Sequence, residues 1–353
     1  MKLRVFIFTT LFLFVSSLLA LAYEGSGPSK PKEWKGKGEK IEFQSLPTLT
    51  IRDFLLGKKP NREITIWGTL NFPDNAADKN VPAVVILHGM GGINDAEEHW
   101  IKVINSMGIA TFMVDSNWAR RKCKKDNKFK KAIPWCAAIN RGMNRVIDAY
   151  GALKLLSNHP RIDSKNIGCI GMSLGAKGCL YLNVKRFQKM WGTPGLEFAA
   201  YVPFYPGCKT IFENDEMVSD KPIRIFFGEL DDFVSAELCQ EYVNRLHKAG
   251  ADVTITIYPN ATHSFDYKQD SKGATLKKGF GSGVNYRNCR FEEDLNFDRL
   301  ALGKKDKDNK ELKTLNTQCL SLFPNRKQVC LISAYTLLKT SNIYYGPEAA
   351  KWF

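Results

Sequence analysis

The sequence predicts an α/β fold: a mostly parallel central sheet flanked by helices on both faces, with loop insertions. Three observations predict it. Short apolar runs such as Val84–Leu87 and Ile109–Val114 lack polar alternation, as strands buried on both faces do. Helix-spaced stretches separate these runs, which is the order of βαβ units. The residues with chemical potential fall in loops after the carboxyl ends of the runs, where an open α/β sheet binds its ligands.

Residues 1–22 are expected to lie outside that fold. Lys2 and Arg4 precede an almost wholly apolar run, Val5 to Leu19, and Ala20-Leu21-Ala22 follows. This is a secretory signal pattern, cut after Ala22. An uncleaved anchor is the alternative, but the run is barely long enough to span a bilayer. No Cys follows it to carry a lipid, and no later segment is apolar enough to span a membrane. Residues 23–40, rich in Gly, Pro, Ser and Lys, read as a flexible mature start.

The elements then follow in order. Glu63 to Phe72 alternates and ends at Pro73, a strand signal, and 71–82 is turn-rich. Val84–Leu87 ends in His88-Gly89-Met90-Gly91-Gly92, and a helix is expected over Ala96–Met107. The strand Ile109–Val114 ends at Asp115. Residues 116–140 read as an insertion whose core, Arg120 to Lys131, holds eight Lys or Arg in twelve positions. Arg141 to Leu156 has helical spacing, and Ile167–Ile170 is a strand followed by a helix-compatible stretch. Strands are expected at Phe198–Pro203, Ile223–Phe227 and Val253–Tyr258, with a helix over Ser235–Lys248. Residues 267–318, rich in Lys, Gly and Asn, form a second insertion. Cys330–Leu338 looks helical, and Pro347–Ala350 looks like a helix start. Residues 23–353 are thus expected to form one domain with insertions at about 116–140 and 267–318.

Bulk properties agree with one large domain. The chain has 353 residues, 44% of them apolar, enough for a sizeable core. Its formal charge is +15, or +13 once Lys2 and Arg4 leave with the signal. That balance favours anionic substrates or surfaces over neutral ones, unless it only solvates the protein. No zinc-finger spacing, RNA-binding signature or repeated aromatic-basic pattern points to nucleic acid. Nine cysteines in an exported chain should largely pair, and an odd number leaves at least one free. Cys123 with Cys136, Cys319 with Cys330, and Cys208 with Cys239 are the candidate pairs. Cys169 and Cys179 read as small buried hydrophobes.

Gly171-Met172-Ser173-Leu174-Gly175 lies between a strand and a helix. Gly-x-Ser-x-Gly in that context is the pattern of a nucleophile elbow. The pattern alone is common in glycine-rich chains. Order strengthens it, because Asp231 and then His263 follow in loops after later strands. A serine hydroxyl needs a base, and the base needs a partner that fixes its tautomer. His263 is the candidate base, against the plainer reading of an ordinary loop histidine. Asp231 is the candidate acid, with adjacent Asp232 as the alternative. The carbonyl oxygen needs N–H groups preset for its developing charge. Those of Leu174 and Met90 are the candidates. A phosphate-binding loop is the rival reading of His88–Gly92, but no Gly-Lys-Ser/Thr follows. Asp115 also ends a strand, yet it precedes the serine and is expected to shape its loop. None of this chemistry needs a metal or another cofactor.

Together these stretches resemble the dienelactone hydrolase family of the α/β-hydrolase superfamily, in an exported branch. Ile86-Leu87-His88-Gly89, the Ser173 elbow, Gly228-Glu229-Leu230-Asp231-Asp232-Phe233-Val234 and Thr262-His263-Ser264-Phe265 carry the resemblance. Tyr205-Pro206-Gly207-Cys208, matched with Cys239, adds to it. It spans roughly residues 60–268 and implies an α/β-hydrolase fold with an eight-stranded, mostly parallel sheet. It also implies hydrolysis of a small-molecule ester or lactone without a metal. The namesake enzymes use cysteine where this chain has Ser173, so dienelactone itself is not the expected substrate. Lys177 and the two insertions also depart from the family pattern. The expectation is a periplasmic or secreted carboxylic-ester hydrolase that works through an acyl-enzyme on esters, anionic ones included. The alternatives are a peptidase or amidase of the same fold, or a non-catalytic hydrolase-like protein of the cell envelope.

Overall fold

Eight strands build the central sheet in the order β1-β2-β4-β3-β5-β6-β8-β9 of the computed structural model. The structure describes residues 38–49, 51–74, 76, 80–120, 133–266 and 291–293, with backbone alone for 51, 52, 133–141, 291 and 292. The strands are β1 (Glu39–Ser45), β2 (Ile64–Asn71), β3 (Val81–Leu87), β4 (Ala110–Asp115), β5 (Ile162–Met172), β6 (Tyr201–Phe204), β8 (Ile223–Gly228) and β9 (Val253–Tyr258). From β4 to β9 every pairing is parallel, whereas β1–β2 and β2–β4 are antiparallel. The apolar runs lie where such runs belong. Ala83, Val85, Ile86 and Leu87 of β3 and Phe112, Met113 and Val114 of β4 have no solvent exposure.

The helices are α1 (Ile51–Leu55), α2 (Asp95–Ser106), α3 (Ile133–Ser157), α4 (Leu174–Tyr181), α5 (Lys185–Trp191) and α6 (Ala236–Lys248). Helices α3 and α4 pack on each other and on β3 and β5, while α2 packs on β4 and α6 on β9. Helix α2 begins with a capping box. The Asn94 side chain accepts the Ala96 N–H at 2.9 Å, and the Glu97 carboxylate accepts the Asn94 N–H at 2.9 Å. Helix α6 starts on Ser235, which accepts the Leu238 N–H, and ends in Arg245, His247 and Lys248, favourable at the negative end of a helix. No helix among the described residues is long and apolar enough to cross a membrane.

The structure moves several expected boundaries. Glu39 and Lys40 belong to β1, not to a flexible start. Ile41 and Phe43 alternate with charged residues there, and the strand gains an antiparallel partner in β2. Helix α3 starts at Ile133, inside the stretch read as the insertion 116–140. Pro134 suits a first helical turn, where its missing N–H costs nothing, and the basic run before it hid the helical pattern. Strand β6 is Tyr201–Phe204, so it starts later than expected and continues past Pro203. Helix α1 has no counterpart in the sequence reading, being too short for periodicity to show.

Both insertions are tied down where they meet the fold. Arg120, at the head of the basic run, is almost wholly buried. It donates to both Asp148 carboxylate oxygens at 2.7 and 2.8 Å and to the Leu46 carbonyl at 2.6 Å. A buried guanidinium needs such a bidentate partner. Inside the stretch 267–318 read as the second insertion, β10 (Phe291–Glu292) pairs in parallel with β7 (Thr210–Ile211). Glu293 accepts two bonds from Arg186, both 2.8 Å. Cys208 and Cys239, on β6's following loop and on α6, have Cα atoms 5.0 Å apart and their sulfurs face each other. Cys169 and Cys179 are buried. Cys123, Cys319 and Cys330, the Cys136 side chain, residues 1–22 and the stretch 294–353 lie outside the described residues.

Candidate active site

Ser173 occupies a strand-to-helix corner between β5 and α4. Its φ of 52° lies in the left-handed region that a serine rarely adopts. Two glycines make the corner possible. A Cβ on Gly171 would collide with the backbone of Gly175 and Ala176, and one on Gly175 with the Leu87 and His88 carbonyls. The Ser173 N–H is fixed on the Phe204 carbonyl at 3.0 Å. The serine side chain is therefore held at the carboxyl edge of the sheet, at the positive end of α4.

The loops after β8 and β9 bring the other two candidates to that point. His263 Nε2 lies 3.0 Å from Ser173 Oγ, and Nδ1 lies 2.7 Å from Asp231 Oδ2. A carboxylate can only accept, so Nδ1 carries the proton and Nε2 is left to accept from the serine hydroxyl. Asp231 is itself oriented, because its Oδ1 accepts the N–H groups of Phe233 and Val234 at 2.9 and 3.1 Å. Asp231 is 1% exposed and His263 6%, so both work out of bulk water. Asp231, not Asp232, is the carboxylate on the ring.

The imidazole is also gripped by its faces. Phe233 stacks on it with ring centres 4.7 Å apart, and Tyr205 meets it at 4.6 Å. The Tyr205 hydroxyl donates to Asp266 at 2.6 Å, and Trp100 Nε1 donates to the same carboxylate at 2.8 Å. Burial raises the Asp266 carboxyl above its usual range, and the two donors oppose that rise. Phe233, Tyr205, Trp100 and Asp266 were not singled out for this role by sequence. Only Tyr205 and Phe233 fall inside motifs that flank the candidates.

The His88–Gly92 turn lies across from the elbow. His88 is fully buried and belongs to the turn's own framework. The Ser116 N–H donates to Nε2 at 3.3 Å, and Nδ1 lies 2.6 Å from the Gly89 carbonyl and 3.1 Å from Arg145 Nη2. Asp115 shapes the next loop, as expected, by accepting the N–H groups of Asn117 and Trp118, both at 2.9 Å. The Met90 carbonyl accepts from Asn117 Nδ2 at 3.3 Å, while the Met90 N–H makes no hydrogen bond among the described residues. At the elbow, the Leu174 N–H opens α4, where a helix's first N–H groups have no intrahelical partner. Both candidate oxyanion donors are thus available.

Two further groups near the site carry shifted ionisation. Burial pushes the Glu97 carboxyl, which accepts the Gly89 N–H at 3.3 Å, up to about 7. Burial also lowers Lys177, one turn behind Ser173, to about 8, and its ammonium lies 3.4 Å from Thr210 Oγ1. Among the described residues no cluster of His, Cys, Asp and Glu could hold a metal ion. What the arrangement offers is a hydroxyl beside a base and a buried acid behind the base.

No curated protein matches the chain. Solved structures do, at low identity. A dienelactone hydrolase-like promiscuous phosphotriesterase from metagenomic libraries is 18% identical, over 64% of this chain and 83% of its own, with a TM-score of 0.44. A thermophilic esterase of the planctomycete Thermogutta terrifontis, with propionate bound, is 16% identical over 57% and 81%, with a TM-score of 0.43. A dienelactone hydrolase described as putative, from Klebsiella pneumoniae, is 13% identical over 69% and 95%, with a TM-score of 0.45. Likeness at this level says nothing of substrate. The dienelactone hydrolase family model matches residues 66–290, which takes in the elbow, the His88 turn and the Asp231 and His263 loops. The chain therefore belongs to the dienelactone hydrolase family, and with it to the hydrolases that act on ester bonds.

Proposed function

We propose that the protein is an exported serine hydrolase that cleaves carboxylic esters through a Ser173–His263–Asp231 triad and an acyl-enzyme. One observation carries this reading: the unbroken line from Ser173 Oγ to His263 at 3.0 Å and from His263 to Asp231 at 2.7 Å. Ser173 Oγ attacks the ester carbonyl as His263 Nε2 takes its proton, and charge moves to the carbonyl oxygen. The N–H groups of Leu174 and Met90 receive that oxygen. The tetrahedral adduct collapses, the C–O bond to the alcohol breaks, and His263 returns the proton to the leaving alkoxide. Water then repeats the sequence on the acyl-serine, with His263 again as base, and frees the acid. Asp231 stays ionised, holds the ring in the required tautomer and faces the imidazolium that forms.

The test is Ser173→Ala against a panel of p-nitrophenyl esters of varied acyl length and charge. Turnover should fall by about 10⁴-fold or more with the fold intact by circular dichroism. Undiminished turnover would refute the assignment. Matching anilides in the same panel separate an esterase from an amidase.

Export is supported by the pattern of residues 1–22 and by the facing sulfurs of Cys208 and Cys239, which in an oxidising compartment would join as a disulfide. Thiol titration of the denatured, unreduced protein from its native compartment checks this. Two reactive thiols at 208 and 239 would count against it. The basic run Arg120–Lys131 supports a preference for anionic esters, and the charged members of the panel test that.

A further inference from the structure

We propose that Glu97 and Arg145 are positioning residues that clamp the His88–Gly92 turn from two sides and preset the Met90 N–H for the developing oxyanion. The inference deepens the serine-hydrolase reading and rests on it. Neither residue stands in a motif that points to catalysis.

The two side chains come from different helices. Glu97 is in the first turn of α2 and is 2% exposed. Its carboxylate accepts the Asn94 N–H and, on the other oxygen, the Gly89 N–H at 3.3 Å. Arg145 is in α3 and has no solvent exposure. Its Nε donates to the His88 carbonyl and its Nη2 to the Gly89 carbonyl, both at 3.0 Å. Asn117 completes the hold on the Met90 carbonyl. Gly89 and Met90 together own two N–H groups and two carbonyls. Three of the four are taken by buried side chains, and the one left over is the Met90 N–H.

That distribution has a physical consequence. A peptide plane whose carbonyl is fixed has its N–H direction fixed as well. Arg145 pins the Gly89 carbonyl, and that carbonyl shares its peptide plane with the Met90 N–H. Glu97 pins the plane before it, so the turn cannot flip either peptide without stranding a buried charge. A donor aimed in advance needs no reorganisation when charge appears, which is the source of oxyanion-hole catalysis. The elbow adds to this, because Gly175 packs directly on the Leu87 and His88 carbonyls and leaves the turn no room to withdraw.

The experiment uses the full chain with the best ester of the panel, and Glu97→Gln and Arg145→Lys. Gln keeps the shape of Glu97 but loses its charge and one acceptor oxygen. Lys keeps the charge of Arg145 but cannot hold two carbonyls in one plane. The readouts are kcat, KM, the inhibition constant of an aryl trifluoromethyl ketone, and thermal stability. The ketone takes Ser173 Oγ at its carbonyl carbon and leaves a hemiketal oxyanion, so its affinity reports the hole directly. The expected result is a kcat loss of about tenfold to a hundredfold with KM within about twofold. Ketone affinity should weaken by the same factor as kcat/KM. A folded Glu97→Gln with unchanged kcat overturns the clamp, as does a kcat loss with unchanged ketone affinity, which a merely structural defect would give. Should Arg145→Lys fail to fold, Glu97→Gln alone decides. Failure of the underlying reading looks different: Ser173→Ala would then still turn over ester, and the triad and the clamp would fall together.

Discussion

The two halves of the candidate site are held in place by different physics. The elbow is held by steric exclusion. Ser173 keeps a left-handed backbone because Gly171 and Gly175 let neighbouring backbone come closer than any side chain would allow. The His88–Gly92 turn is held by side chains from afar. Its peptide groups are fixed by Glu97, Arg145 and Asn117, which lie 8, 56 and 27 residues from their partners. A steric constraint fails abruptly when a methyl group is added, whereas a polar clamp weakens by degrees as its charges are altered. The substitutions below separate the two, beginning with the largest expected effect.

Gly175→Ala tests the steric half. The new Cβ would meet the Leu87 and His88 carbonyls, which are backbone at the end of a fully buried strand and have nowhere to go. A loss of more than about 3 kcal/mol is expected, since clash and backbone strain in a core belong to the severe tail of point mutations. Chemical denaturation of the soluble fraction measures it. A variant within about 1 kcal/mol of wild type would mean that the elbow yields, and the contrast between the halves would lose its basis.

That contrast also explains what could be read from the sequence. Gly171-Met172-Ser173-Leu174-Gly175 announces itself because a steric rule leaves a local pattern. The Asp231 and His263 loops were legible through their order and their place after apolar runs. Buried strands β3 and β4 were legible because they lack alternation. Arg145 was not, since a buried arginine in a helix looks like any surface arginine until its partners in another segment are known. Glu97 was half legible. Asn94-x-x-Glu97 is a capping box, and nothing in the box says that the second carboxylate oxygen serves Gly89. Strand β1 was missed because its outward residues, Glu39, Lys40 and Glu42, continue the polar character of the stretch before it.

The polar half should leave its mark on pH dependence. Glu97 titrates near its ordinary value of 4.5 in the unfolded chain and at about 7 when buried. Between those values the folded protein holds a proton that the unfolded chain has released, so stability falls as pH rises from 4.5 to 7. At pH 8 the fold bears nearly the full cost of an ionised, buried carboxylate, of order 3 kcal/mol. Glu97→Gln should remove most of that pH-dependent increment. Asp266 and Asp215, whose carboxyls are also raised by burial, contribute with the same sign. Denaturation of both proteins at pH 5 and pH 8 compares the two. Equal pH increments would show that Glu97 is not the group responsible. A residue that costs stability at the working pH yet holds the His88–Gly92 turn fits the proposed clamp, because strain of this kind persists where function needs it.

Lys177 gives the smallest effect and crosses the line between the halves. It belongs to the elbow helix, where sterics rule, yet it is a half-buried charge whose ammonium lies 3.4 Å from Thr210 Oγ1. Burial lowers it from 10.5 to about 8, so the ammonium is the disfavoured form in the fold. Below pH 8 both folded and unfolded chains carry the proton and the fold bears the whole penalty. Between pH 8 and 10.5 the folded chain releases its proton first, and the penalty fades as pH rises. Lys177→Met keeps the length of the side chain and removes the charge. It should stabilise the protein by about 1 kcal/mol at pH 7, partial solvation having softened the cost, and by less at pH 10. Destabilisation at pH 7 would mean that the ammonium is favourably paired in solution. It would then act as a polar fastening on the elbow side, and the two halves would differ in degree instead of in kind.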